Sequence, residues 1–291
     1  MKKLLITTMG LGCAFAVSAQ DINESMDAAA DSRVHISNTA GSVEVDGWSR
    51  DEVEITGELG RDVEELVFER DGDEIIIQVK TRRHNSRSIA TELIIKVPEE
   101  SSLRVNTVSA DIDVDNVAGE QRLDSVSGDI STVAHAEDID IESVSGDIEV
   151  EGDDENMRSR MNSVSGDIET ENLAGEISAE SVSGDLIISS GAFTRAFAHT
   201  VNGEIIFHSR LLDDGRLDVE TINGEVDIDF GGDVSARFDI ETFNGDIRNC
   251  FGPDPVRTSE YTPGYELKFS EGGGSGRVTI QTLNGDLRLC K

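Results

Sequence analysis

The sequence predicts an all-β chain: a right-handed parallel β-solenoid with about 18–21 residues per coil, behind an N-terminal β cap. A short motif returns at a near-constant period. It reads Val108-Ser109-Ala110-Asp111, then Val-Ser-Gly-Asp at 126–129, 144–147, 164–167 and 182–185. Asparagine then replaces serine, in Val201-Asn202-Gly203-Glu204, Ile222-Asn223-Gly224-Glu225, Phe243-Asn244-Gly245-Asp246 and Leu283-Asn284-Gly285-Asp286. Aligned on the motif glycine, apolar residues fall into columns. Two positions after it stand Ile112, Ile130, Ile148, Ile168, Leu186, Ile205, Val226, Ile247 and Leu287. Five before it stand Val105, Leu123, Ile141, Met161, Ala179, Ala198, Val219, Ile240 and Ile280, and two before it the motif's own Val, Ile, Phe and Leu. Alternation on either side of the glycine has the period of two of half-buried strands, with acids on the outward positions.

Residues 1–19 read as a signal peptide: Lys2-Lys3, an apolar stretch from Leu4 to Val17, and Val17-Ser18-Ala19 ahead of Gln20. The stretch is too short to span a bilayer as a mature helix, so no transmembrane segment is expected. Cys13 lacks the leucine that a lipidation site needs three positions earlier, where Gly10 stands. The chain is therefore expected to be exported, to the periplasm or to the cell surface and beyond. Residues 20–32 are polar and expected to be mobile. Residues 33–100 read as a β cap of degenerate repeats: Gly41 carries a weak motif, Val53–Thr56 follows as a strand, and 63–69, 74–80 and 91–97 alternate like meandering strands. The solenoid proper spans 101–291. The step of three between the columns at minus five and minus two reads as a bend, with both columns in the core and at least two short strands per coil. Nine coils at about 4.8 Å make a rod of roughly 40 Å. One coil buries too little apolar surface to offset its own ordering, so neighbours must share a core and the ends need caps. The last two motif glycines are 40 residues apart, and 251–276 is read as an excursion from one coil.

Removing the signal takes away two lysines and no acid, so the net charge falls from −34 to −36, 23 basic against 59 acidic side chains. Such a chain repels nucleic acid and anionic lipid. Aromatics at 4% argue against a carbohydrate-stacking groove. Two cysteines remain, Cys250 and Cys290, each five residues after a motif glycine. Equivalent positions on adjacent coils sit one strand spacing apart, within reach of a disulfide in an oxidising compartment.

The row of acids after the glycines admits two readings. The preferred one is local, with each acid and its preceding Ser or Asn bonding turn N–H groups. The other is a ladder of Ca²⁺ ions on Asp129, Asp147, Asp167 and Asp185, the only cofactor considered. Against calcium, each coil offers one carboxylate and the glycine-rich nonapeptide of calcium β-rolls is absent. The five histidines share no metal-ligand spacing, no nucleophile elbow or phosphate loop appears, and no catalytic residue is assigned. Lys80, Arg82, Arg83, His84 and Arg87 form a basic cluster, read as a hairpin loop or a contact for an acidic partner. Arg257, Tyr261, Tyr265 and Lys268 form an aromatic-basic surface, read as a cap or a binding patch.

The run Gly41-Ser-Val-Glu-Val-Asp-Gly-Trp48, the iterated Ser-Val-Ser-Gly-Asp-Ile and the closing Leu283-Asn-Gly-Asp-Leu-Arg-Leu-Cys290 resemble the bacterial putative-adhesin family, a domain of unknown function in exported β-strand-repeat proteins. The resemblance covers roughly 30–290 and brings no catalytic residues. It implies a non-enzymatic structural or interaction protein of the cell envelope whose partner is a protein or a glycan. The alternatives are a periplasmic scaffold or stress-associated protein without an external ligand and, further off, a carbohydrate-active enzyme.

Overall fold

Apolar residues alternating with charged ones give nothing but strands in the computed structural model, which describes residues 20–81, 88–135, 137–260 and 263–291. Six strands begin the rod: β1 (Gln20–Asp27), β2 (Arg33–Trp48), β3 (Glu52–Leu59), β4 (Val63–Asp71), β5 (Glu74–Thr81) and β6 (Thr91–Pro98). β2 is the first coil. Its first half pairs parallel with β5 and its second half with β6, so one bent strand enters two sheets. Beyond β5 and β6 the sheets continue with the antiparallel pairs β4–β5, β3–β6 and β1–β3. Residues 20–32, expected to be mobile, are mostly strand instead. All eight residues of β1 are in register with β3, and Ile22 is buried. The edge of β3 would otherwise present bare N–H and C=O groups.

From residue 102 the coils stack. β7 (Ser102–Asp115) pairs with both halves of β2. Later coils place one strand before the motif and one after it: β8 (Gln121–Ser125) and β9 (Ile130–Ala134), β10 (Ile139–Ser143) and β11 (Ile148–Gly152), β12 (Asn156–Ser163) and β13 (Ile168–Glu171). β14 (Ala174–Ser181) leads into β15 (Leu186–Asn202), and the long β16 (Ile205–Asn223) into β17 (Val226–Asp229). The strands before the motif form a leading sheet and those after it a trailing sheet, all parallel. The two enclose one apolar core that runs the length of the rod. The columns at minus five and plus two line it, rung on rung, as Leu123–Ile141–Met161–Ala179 and Ile130–Ile148–Ile168–Leu186.

The column at minus two does not. Val108, Val126, Val144, Val164, Val182, Ile222, Leu283 and Phe243 are each 39–48% exposed. Alternation from minus five continues unbroken to minus three, so the inward corner residues are Thr107, Ser125, Ser143, Ser163, Ser181, Thr200, Thr221, Thr242 and Thr282, all buried. A hydroxyl suits this position because the corner leaves backbone groups unpaired. The Oγ of Ser125, Ser143 and Ser163 accept the N–H of Gly128, Gly146 and Gly166 at 2.8–2.9 Å. Thr200, Thr242 and Thr282 donate instead to the glycine carbonyls of neighbouring coils. A valine there would strand those groups in the core.

Chain order is not stacking order at the C-terminal end. β18 (Ala236–Asn244) and β19 (Ile247–Asn249) make the outermost coil. The excursion then forms β20 (Val256–Arg257) and β21 (Tyr265–Glu271), with β21 antiparallel along the edge of β18. The chain re-enters with β22 (Gly276–Asn284) and β23 (Leu287–Cys290), one rung inside the outermost coil. β22 lies between β16 and β18, and β23 between β17 and β19. The motif at 283–286, last in sequence, is therefore second to last in space. The excursion is a return path that covers the open edge of β18, where an unpaired strand would invite other chains. Cys250 and Cys290 are joined by a disulfide, Cα atoms 4.9 Å apart, tying the inserted coil to the outer one. Five phenylalanines plug this end: Phe207, Phe230, Phe238, Phe251 and Phe269 are linked by ring contacts of 4.4–6.5 Å.

The insertion has a direct test. Cysteines replacing Glu220 and Gln281, which face each other on adjacent rungs, should form a disulfide under mild oxidation. Glu220→Cys with Glu241→Cys should not, because Gln281 lies between them and the gap is about 10 Å. Peptide mapping reads the pairing, and the opposite result would restore a sequential stack.

Candidate functional site

The acid column is the most regular polar feature of the rod. Asp129 N–H donates to the Asp111 carboxylate, and the relation repeats for Asp147 on Asp129, Asp167 on Asp147, Asp185 on Asp167 and Glu204 on Asp185, at 2.7–3.1 Å. Each acid thus serves the next coil rather than its own turn. These charge-assisted bonds offset a like-charge repulsion of roughly 1 kcal/mol per solvated neighbour pair. Among the described residues neither Glu204 nor Glu225 accepts such a bond. In those coils an asparagine ladder takes over, Asn223 on Asn202, Asn284 on Asn223 and Asn244 on Asn284, each at 2.8 Å. Burial, and then the charges of Asp185, Glu225 and Asp227, push Glu204 above the usual carboxylate range. Among the described residues no three His, Cys, Asp or Glu side chains converge to hold a metal ion. Asp129, Asp147, Asp167 and Asp185 each have one oxygen committed to a backbone N–H.

Beside the acids runs the exposed apolar column. Its members stand one per rung, as the corner bonds show: Ser127 N–H to Val108 O, Ser145 to Val126, Ser165 to Val144, Ser183 to Val164 and Asn202 to Val182, at 2.9–3.1 Å. In space the row continues through Val201, Ile222, Leu283 and Phe243. Shallow grooves flank it, one of about 560 Å³ along Val126, Val144 and Val164 and one of about 400 Å³ at Ile222, Leu283 and Phe243. The columns at minus five and minus two both looked like core in the sequence. The signal that separates them is the unbroken Ser/Thr column at minus three.

The other expected sites disperse. Arg82, Arg83, His84 and Arg87 lie outside the described residues, as does Tyr261; Lys80 pairs with Glu65 at 3.2 Å. Tyr265 lies in β21 with the Arg257 guanidinium 5.8 Å from its ring, and Lys268 pairs with Glu266 and Asp239. The four described histidines sit apart with separate partners, His35 with Asn106, His135 with Asp153, His199 against the Phe197 ring and His208 with Asp227. Burial opposes the charge of Asp153, but the His135 hydrogen bond and charge, together with the backbone N–H groups of Glu155 and of Asp153 itself, outweigh it and hold the carboxyl below its ordinary value.

Two variants probe the acid column. Asp147→Asn keeps an acceptor for Asp167 N–H and should leave stability within about 0.5 kcal/mol, whereas Asp147→Ala should cost about 1 kcal/mol in denaturant melts. Glu204→Gln should stabilise by a few tenths of a kcal/mol near neutral pH. With its folded pKa raised, ionised Glu204 weakens the fold above that pKa. Below the unfolded pKa both states are protonated, so the gain should vanish when the melts are repeated in acid.

Solved structures align with most of the chain and share little sequence with it. A "putative lipid binding protein" from Parabacteroides distasonis is 13% identical with TM-score 0.50, covering 92% of this chain and 96% of its own. A "putative adhesin" from the same organism is 10% identical with TM-score 0.43, covering 93% and 98%. A "putative cell adhesion protein" from Clostridium sporogenes is 10% identical with TM-score 0.31, covering 93% and 99%. No curated protein matches the chain in sequence. The model of the Toastrack DUF4097 family matches residues 31–289, nearly all of the rod and its cap, and the chain belongs to that family.

Proposed function

We propose that this protein is an exported, non-enzymatic interaction module of the cell envelope that binds a protein or glycan along the side of its rod, as an adhesin does. One observation carries the reading: an apolar row from Val108 to Phe243, exposed on each coil except at the half-buried Val201, on a chain of net charge −34. Rows of this kind mark contact surfaces, because a soluble chain has no folding reason to keep them bare. The Cys250–Cys290 disulfide suits an oxidising compartment, as does a signal peptide at 1–19. No cofactor enters the reading. Among the described residues no helix is long and apolar enough to cross a membrane.

The test compares intact and permeabilised cells with an antibody against the rod, alongside Val126→Ser/Val144→Ser/Val164→Ser. Adhesion predicts labelling of intact cells and loss of attachment in the triple variant, with an unchanged melting profile since these side chains are exposed. Labelling only after permeabilisation would replace adhesion with a periplasmic scaffold.

A further inference from the structure

The leading sheet carries a second continuous row, independent of the apolar one. Eight positions before the motif glycine stand Arg158, Glu176, Arg195, Arg216, Arg277 and Arg237 in spatial order, directly opposite one another across the parallel ladder. The last four are arginines on consecutive rungs, about 4.8 Å apart, and all are exposed. Facing like charges destabilise a sheet, here by roughly 1 kcal/mol per neighbour pair in water. In a chain with 59 acids and 25 bases, acids were available to interleave with every arginine. Instead the acids thin out along the row. Glu176 serves Arg195 at 3.3 Å and Arg158 at 3.8 Å, and Asp218 serves Arg216 at 2.7 Å. Arg237 donates to the Gly274 carbonyl, and Arg277 has no acidic partner among the described residues.

We propose that this arginine row binds a linear acidic polysaccharide with one carboxylate per sugar, laid along the rod axis. Arginine forks grip carboxylates in bidentate pairs, and a polymer charged at every sugar offers one group for about every rung. The row is one side chain wide. Towards the corner stand Asp218 and Asp239 one column away and Glu180, Glu220 and Glu241 two columns away, and on the other side Asp213 and Asp214 in β16 and Asp233 between β17 and β18 are exposed. A nucleic acid duplex or an anionic membrane would press its charges onto those acids, whereas a single glycan chain fits between them. A groove of about 500 Å³ supplies the seat; Arg158, Arg160, Arg195 and Arg216 line it beside Phe197, with Glu176 and Asp218 the acids among them. Phe197 is half-buried and gives an apolar floor for the face of a sugar ring.

The probe is polygalacturonate of defined length, titrated into the chain from residue 20 onward at low salt. Expected are binding that weakens as salt rises, a loss of at least tenfold in Arg216→Gln/Arg277→Gln, and partial recovery in the matching Lys double. Arg257→Gln, off the row, should bind as the unaltered chain does, and neutral dextran should not bind. The Gln double removes the Arg216–Arg277 repulsion together with the exposed Arg216–Asp218 pair, so its melting profile should stay close to the parent's. No binding of polygalacturonate, or binding indifferent to the Gln double, would overturn the proposal. So would equal, row-dependent binding of single-stranded DNA, dextran sulfate or phosphatidylglycerol vesicles, which would make the row a general anion site. Envelope location of the Gln double is unaffected in either case, so failure here leaves the adhesion reading intact.

Discussion

At every motif corner from Gly128 onward, backbone lies directly on backbone. A Cβ on Gly146 would overlap the carbonyl oxygen of Gly128, one on Gly166 that of Gly146, and so on through Gly184, Gly203 and Gly224 to Gly285 and Gly245. None of these from Gly128 to Gly224 has the left-handed φ that usually selects glycine, so the constraint is proximity alone. Contact this close leaves no freedom to slide one coil against the next by even one residue, because a slip would put a side chain between the corners. Register is therefore fixed at the corner and inherited by both sheets. Every other column, buried or exposed, is a consequence.

The same constraint makes the coils interchangeable. Each corner from Gly128 on presents nearly the same backbone to its neighbours, a glycine or Ala110 carbonyl against the next glycine and N–H groups bonded within the corner or to the adjoining coil. Stacking order is then decided by the ends, where the coils differ. The inserted coil satisfies the asparagine ladder as well as a sequential one would, with Asn284 between Asn223 and Asn244. What selects the insertion is the return strand β21, which covers the edge of β18 while Phe269 stacks on Phe238 at 4.4 Å. The disulfide then holds the two last coils together.

This accounts for what could be read from the sequence. The glycine spacing, the core columns at minus five and plus two, and the adjacency of Cys250 and Cys290 all follow from one repeated corner, and each was legible. The placement of Val126 and its equivalents was not, because a step of three fits a bend with both columns inside as well as one with the second column outside; only the buried hydroxyl of Ser125, out of step with its apolar neighbours, separates the two cases. Stacking order was illegible because a 40-residue gap fits an excursion on either side of the last coil. The arginine row lay in plain view at minus eight, beyond the columns chosen for their apolar residues. Seeing it requires asking what repeats outside the core as well as within it.

A rod that exposes an apolar row and ends in β-strands is built like a fibre subunit, and its acidity answers that hazard. β1 closes one sheet with Asp21, Glu24 and Asp27 exposed, and β4 closes the other with Glu64, Glu65, Glu69, Arg70 and Asp71 exposed. Charges on edge strands discourage pairing with another copy. Along the sides, two rods brought together at their apolar rows would also bring together the carboxylate columns beside them, Asp111 to Asp185. The repulsion opposes self-association while leaving the row open to a neutral or cationic partner. Acid is therefore the condition under which the rod can keep a sticky surface in water. The arginine row, where four consecutive rungs carry a base instead, is where that condition is relaxed.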